Sequence, residues 1–358
     1  MNFHPKVISL LKSLYHEQQA SVRLEKSDTE PFVVEKGVRQ GCILSPNLFS
    51  IYTESIMRKV EEDHRSGMYD EVNIQGRKIR DLRYADDTAL LSRTVHGLES
   101  LVESVKEHSE EKDLLLNVKK TKVMDTDKCK TKTKITVDGQ VLENVNHFEY
   151  LGARIENDGR TKGEISRRIA IASQKLGNLK KMWESQSNKT KLDLLRACIF
   201  PVVLYGCEAW APLQTDLDRL RAFEMKCYRK VLKIVWSERI TNEEVRNRLQ
   251  IKDSYLIYQY KKLKLSYFGH IERHDTLEKT ILEGKLEGRR RRGKPRRGWT
   301  DDIQKWLGMS TTHAGNLAQD RDQYRRCSQA ATSQETDFPP PRKSTRRKND
   351  VPRDSPDR

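Results

Sequence analysis

Apolar residues recur along this chain with two different periods, and the change from one to the other organises it. Val7, Ile8, Leu10, Leu11, Leu14 and Tyr15 have the three-and-four spacing of one helix face. Ser21 to Leu24 and Pro31 to Glu35 read as two strands around the polar turn Ser27-Asp28-Thr29. After Gly37-Val38-Arg39-Gln40-Gly41, Ser45 is placed as an N-cap and Pro46 as the first residue of a helix carrying Leu48, Phe49, Tyr52, Ile56 and Val60. A loop with two short strands follows. Leu82 to Tyr84 and Thr88 to Leu91 flank Asp86-Asp87, which predicts a tight apolar hairpin with two carboxylates at its tip. Gly97 to about Lys112 predicts a helix burying Leu98, Leu101, Val102 and Val105. Lys134 to Val137 and Gln140 to Val145 pair across Asp138-Gly139, a strong hairpin signal, and His147 to Leu151 reads as one more strand. From Glu164 onward the period is helical: Ile165, Ile169, Ala172 and Leu176, then Leu192, Leu195 and Ile199, then Leu217, Leu220 and Phe223, then Tyr258 to Leu265.

The predicted fold class is therefore α+β, with an α+β part over 1–155 and helical parts over 156–235 and 236–306. Helical signal weakens beyond Trp306, and the Pro339-Pro340-Pro341 run marks 307–358 as a basic, poorly ordered tail. Trp183, Trp210, Trp236 and Trp306 are expected to anchor helix packing. No internal repeat is visible, and nothing in the pattern specifies an oligomeric state.

Charge sharpens this picture. Lys and Arg number 68 against 52 Asp and Glu, a formal net charge of +16, so the field attracts polyanions, and nucleic acid is the commonest such partner. An anionic membrane surface is the competing partner, but no apolar run approaches the roughly 20 residues a bilayer span needs. Met1 to Lys12 lacks the apolar core of a secretory signal, so an intracellular location, nucleus or cytoplasm, is expected. The six cysteines are scattered without a CxxC pair and read as reduced packing residues. His270 and His274 have helical spacing, but their separation from Cys198, Cys207 and Cys227 is too loose for a zinc finger.

The chemistry centres on Arg83-Tyr84-Ala85-Asp86-Asp87-Thr88. Adjacent acids at a hairpin tip repel unless a cation neutralises them, and hard carboxylate oxygens suit Mg²⁺. Two adjacent aspartates in isolation are more often a solvated acidic turn, so the surroundings decide. Gly37-Val38-Arg39-Gln40-Gly41-Cys42-Ile43-Leu44-Ser45-Pro46-Asn47-Leu48-Phe49 resembles motif B of the reverse transcriptases of non-LTR retrotransposons, particularly the RTE-like LINE group, and Tyr84-Ala85-Asp86-Asp87 resembles their metal-binding motif C. Leu116 to Lys122 resembles motif D, and Phe148-Glu149-Tyr150-Leu151-Gly152 resembles the primer-grip motif E. The likeness continues through Phe200 to Trp210, Tyr267 to His270 and Gly288 to Gly293.

This resemblance implies a partial palm followed by a helical thumb, with RNA-templated DNA synthesis as the family reaction, and an RNA template and a DNA primer as partners. It implies Asp86 and Asp87 as ligands of Mg²⁺, two ions in the intact family. Lys120, or Lys122, would sit near the departing pyrophosphate. Gly37, Arg39, Gln40, Gly41 and Tyr84 would lie near the nascent pair, and Phe148 at the primer terminus. The family also uses a third carboxylate, in motif A upstream of motif B. Between Met1 and Lys36 the one aspartate is Asp28, in a polar turn, so this reading starts the chain after motif A and expects polymerisation by it alone to be incomplete. Fingers elements and an N-terminal endonuclease domain are likewise not found.

Lys285 to Trp299 holds eight cations and one acid. Arg289, Arg290, Arg291 and Arg292 are expected along phosphates in a sequence-independent, salt-sensitive manner, with Trp299 stacking on an exposed base. The same run also reads as a nuclear import signal or a solvated charged loop. Two other classes stay open: a non-catalytic nucleic-acid-binding protein, and a decayed element product without a selected role.

Overall fold

The computed structural model describes residues 3–25, 27–64, 70–126, 133–179, 186–284 and 297–333. They form two compact units, Met1–Val145 and Asn146–Arg358. The architecture is α+β, with short, mostly antiparallel strands and many helices.

In the first unit, α1 (Pro5–Tyr15) is followed by β1 (Gln19–Ala20) and β2 (Phe32–Val33), which pair antiparallel. The helical spacing of α1 holds, yet none of its residues is buried, and Leu10 is 72% exposed. Next comes α2 (Ser45–His64), which starts without the expected cap: the Ser45 hydroxyl instead donates to Arg39 O at 2.6 Å, holding the preceding loop. β3 (Val72–Ile74) and β4 (Arg77–Ile79) pair antiparallel, as do β5 (Asp81–Tyr84) and β6 (Asp87–Leu90). Helix α3 (Val95–Glu110) packs against α2. Its N-terminus is capped by Thr94, whose hydroxyl accepts from Gly97 N at 3.2 Å, so Thr94→Ala is expected to cost about 1 kcal/mol, read as a lower urea midpoint at unchanged slope.

β7 (Lys122–Val123) runs parallel to β10 (Glu143–Asn144), while β8 (Thr136–Val137) and β9 (Gln140–Val141) form the hairpin predicted across Asp138-Gly139. Both turn residues have positive φ, 50° and 73°, the backbone a two-residue turn of right-twisted strands requires. A small core of Val102, Val123, Ile135, Val137 and Leu142 lies beneath α3, and Leu90 at the end of β6 packs against it.

The second unit opens with β11 (His147–Tyr150) and β12 (Ala153–Glu156), an antiparallel pair joined at Leu151-Gly152. Helices follow: α4 (Lys162–Asn178), α5 (Asn188–Leu194), α6 (Phe200–Val203), α7 (Gln214–Val231), α8 (Asn242–Leu249), α9 (Tyr255–Arg273), α10 (Leu277–Glu283), α11 (Asp301–Leu307), α12 (Thr311–Gln319) and α13 (Arg321–Ser333). Between α5 and α6, Leu195–Ile199 widens to a π-helical turn, with Phe200 N bonded to Leu195 O. Pro201 explains it, because a proline lacks an N–H and its ring crowds the carbonyl four residues back.

This unit holds the larger core, including Leu195, Ile199, Phe200, Leu220, Tyr228, Tyr260 and Phe268. Trp210 and Trp306 are buried in it as expected, but Trp236 is 90% exposed, because its short 3-10 turn is fixed by Glu238 accepting from Val235 N at 2.6 Å rather than by the indole. Trp183 lies outside the described residues. The described cysteines are free, and burial pushes the Cys227 thiol up to about 12. Among the described residues no helix is long and apolar enough to cross a membrane.

Candidate functional site

The Asp86–Asp87 pair sits where the hairpin β5–β6 turns over. Tyr84 pairs with Asp87, leaving Ala85 and Asp86 as the two turn residues, and Ala85 takes a left-handed φ of 53°. For a side chain with a Cβ that conformation costs roughly 1–2 kcal/mol, a local strain at the tip that carries the acids. Both carboxylates are exposed, and among the described residues neither makes a side-chain hydrogen bond or ion pair.

The expectation of an apolar hairpin is corrected here: Leu82 is 36% and Tyr84 67% exposed, and among the described residues β5 and β6 form a sheet of two strands only. Among the described residues no third strand pairs with the ribbon, and it meets a core at its far end, at Leu90, so the side chains toward the tip stay in water. The hairpin is instead held at its base by charge. Arg83 bonds Glu54 at 3.0 Å and Asp81 at 2.8 Å, and Arg80 approaches Asp81 and Glu61, each at 3.3 Å. Arg58, one turn along α2, bonds Glu54 at 3.0 Å and, with Arg83, holds that carboxyl below its usual range. Sequence reasoning passed over this ladder, although Glu54 and Arg58 carry the i, i+4 spacing that signals it.

The glycines of the motif B-like loop both need left-handed backbone, with φ of 104° at Gly37 and 82° at Gly41. A Cβ at either would meet nothing within 4 Å, so conformation rather than close approach selects glycine. Arg39 and Gln40 between them are exposed, and Arg39 reaches Leu14 O at 3.4 Å. Lys120 lies exposed in a turn closed by Asn117, whereas Lys122 on β7 is paired with Glu143.

The motif E-like segment is in the second unit, where Phe148 is half-buried on β11. Its turn, Leu151 (φ 49°) and Gly152 (φ 75°), is clamped from three sides. Tyr205 donates to Leu151 O at 2.9 Å, Arg167 donates to Gly152 O at 2.6 Å, and Arg168 bonds Gly152 O while its guanidinium lies 4.3 Å from the Tyr205 ring centre. Glu164, 2% exposed, gathers Arg154 N, Arg167 and Arg168 at 3.0, 2.8 and 2.6 Å.

Arg289, Arg290, Arg291 and Arg292 lie outside the described residues. Trp299 is half-buried: its indole N–H donates to Glu208 O at 2.7 Å, its ring meets Tyr267 edge-on at 6.2 Å, and Lys264 lies 5.0 Å from its centre. His274 Nδ1 is 2.7 Å from His270 O. Among the described residues no three His, Cys, Asp or Glu side chains converge on a point that would hold a metal. The two carboxylates at the hairpin tip fit an ion such as Mg²⁺, which takes one or two protein oxygens and completes its shell with water and phosphate.

Residues 1–155 match the family described as reverse transcriptase (RNA-dependent DNA polymerase). Across 270 residues the chain is 24% identical to a transposon-derived protein of Caenorhabditis elegans, covering 71% of this chain and 96% of that one. It is 23% identical over 252 residues to the RNA-directed DNA polymerase from mobile element jockey of Drosophila funebris, and 24% identical over 236 residues to that from transposon BS of Drosophila melanogaster. Those alignments cover 67% and 62% of this chain but 26% and 25% of the two polymerases, so it spans about a quarter of their length.

Proposed function

We propose, on the premise that residues 1–155 belong to the reverse transcriptase family and that the chain derives from a non-LTR retrotransposon, that it binds template and primer nucleic acid but does not extend the primer by itself. The observation that carries this reading is the exposed Asp86–Asp87 pair, raised on a two-residue turn with no third acid beside it among the described residues. In the family reaction, deoxynucleotides join a DNA 3′ end on an RNA template. Asp86 and Asp87 would hold Mg²⁺, which when bound polarises the phosphate oxygens and the attacking hydroxyl. Arg39 and Gln40, exposed between two left-handed glycines, would face the nascent pair, and the uncommitted Lys120 would place a cation near the departing pyrophosphate. Two-metal chemistry needs both ions fixed, and two adjacent carboxylates supply one protein ligand set.

The test is Mg²⁺-dependent extension of a DNA primer on poly-rA by the purified chain, beside the Asp86→Asn, Asp87→Asn double variant. The expected result is no extension by either, with oligonucleotide binding equal in both. Extension by the chain that vanishes in the double variant would overturn the non-catalytic part of the reading and point to a third ligand elsewhere.

A further inference from the structure

Helices α9 and α13 pack side by side in the second unit and leave between them a cleft of about 420 Å³. From α9, Tyr258, Lys262 and Ser266 follow at four-residue steps and so share one face. Arg321, Arg325, Ser328 and Thr332 follow at steps of four, three and four residues and share one face of α13. No carboxylate lines the cleft, although the chain carries 52 acidic residues. Lys262, Arg321 and Arg325 are exposed, and among the described residues the side chain of none of the three makes a hydrogen bond or ion pair. Arg273 closes one end and is held by Ala318 O at 3.0 Å. Elsewhere in this unit arginines on helix faces find acids one turn away, as the half-buried Arg221 finds Asp218 at 2.9 Å and the exposed Arg248 finds Glu244 at 2.8 Å. Concentrating unpaired cations around one concavity raises the local potential and leaves it unbalanced from within.

We propose that this cleft is a second nucleic-acid site, separate from the Asp86–Asp87 hairpin, which takes the phosphodiester backbone of a single strand. Lys262, Arg321 and Arg325 contact successive phosphates, and the exposed Ser266 hydroxyl on α9 can donate to a phosphate oxygen between them. The half-buried Tyr258 ring in the same wall offers a stacking face to an unstacked base. The volume accommodates a nucleotide-sized group and not the width of a duplex.

The test uses the full chain and labelled single-stranded oligo-dT and oligo-rU, with binding followed by fluorescence anisotropy across a salt series. A triple variant, Lys262→Ala with Arg321→Ala and Arg325→Ala, should lower the slope of log affinity against log salt by about 2 and weaken binding roughly 50-fold at 0.15 M salt, since each single-strand phosphate contact contributes about 0.7 to that slope. All three side chains are exposed, so the melting temperature should stay that of the parent. A control triple, Lys226→Ala with Lys233→Ala and Lys252→Ala, removes the same charge from exposed positions outside the cleft and should shift binding far less. Equal losses in the two triples, or none in the first, would overturn the site. Displacement of the oligonucleotide by millimolar inorganic phosphate or ATP would overturn the strand assignment in favour of a small phosphate ester. The readout is single-strand binding and not primer extension, so failure of the cleft and failure of the polymerase-derived reading are told apart.

Discussion

Asp302→Ala is expected to destabilise the second unit by about 3–5 kcal/mol, the range for removing one partner of a buried ion pair. Asp302 and Lys264 are both 0% exposed. The Asp302 carboxylate accepts from Lys264 Nζ at 2.8 Å and from the Tyr260 hydroxyl at 2.9 Å, and it pairs with Arg297 through its other oxygen. Lys264 also donates to Trp210 O at 2.7 Å and is otherwise surrounded by aromatic rings, with Trp299 at 5.0 Å and Trp306 at 5.8 Å. Truncating Asp302 therefore leaves an ammonium among aromatic rings with no counter-charge bonded to it among the described residues, held by the Trp210 carbonyl and, at 3.3 Å, the Tyr260 hydroxyl. Lys264→Met in the same chain should restore at least half of the loss, because it removes the stranded charge and keeps the volume.

A double-mutant cycle in urea at pH 7 reads both effects, and a loss below 1 kcal/mol for the single variant would show that the pair is not sealed from water. The pH dependence has a definite sign. Burial holds the Lys264 amine below its ordinary value, and loss of the Asp302 charge lowers it further. Between the lowered folded value and the ordinary one, the unfolded chain binds more protons, so stability rises with pH. The Asp302→Ala deficit should therefore shrink as the solution is made alkaline.

Local signals in the sequence carried much of this architecture. Asp138-Gly139 specified its hairpin because both residues tolerate the positive φ that such a turn demands, and the β5–β6 hairpin was legible from the strand-forming residues on either side of Asp86-Asp87, although its turn falls one residue earlier, at Ala85-Asp86, with Asp87 on β6. The Leu151-Gly152 turn was not legible, since leucine seldom takes a left-handed φ, and Ala153–Glu156 alternates apolar and polar residues over four positions only, too short a run to announce its strand. Ser45 matched the cap pattern, but a hydroxyl can donate as well as accept, and the nearby Arg39 carbonyl claims it. Hydropathy placed Leu82 and Tyr84 inside a hairpin without indicating that its tip end stays exposed, and it placed Trp236 in a core from which its turn excludes it. Contacts between distant positions left least trace: Lys264 and Asp302 are 38 residues apart, and each alone reads as one more surface charge. The Arg83–Glu54 pair that holds the base of the β5–β6 hairpin spans 29 residues and was invisible for the same reason.

Glu164 is where stability and the candidate primer-grip hairpin meet, and Glu164→Ala is expected to cost about 3 kcal/mol while loosening the Leu151-Gly152 turn. Its carboxylate is what orients Arg167 and Arg168 toward Gly152 O, and Arg168 is itself 8% exposed, so the truncation strands a guanidinium in the interior. Burial alone would push the Glu164 carboxyl up, but the hydrogen bonds from Arg167 and Arg168 and from Arg154 N outweigh it and hold the group below its ordinary value. A carboxyl lowered in this way contributes stability that is present above the ordinary carboxylate range and lost as pH falls through the folded value. Glu164→Gln keeps an acceptor for Arg154 N and most of the volume but gives up the charge, so it should cost less than the alanine change at pH 7 and flatten the loss of stability between about pH 5 and pH 3. Urea midpoints of the parent and the two variants across that interval check the sign, and equal acid sensitivity of parent and Glu164→Gln would locate the titrating group elsewhere. Hydrogen exchange at Leu151 and Gly152 provides the structural readout: faster exchange in Glu164→Ala, with rates in β8 and β9 unchanged, ties the clamp to this hairpin rather than to the fold at large.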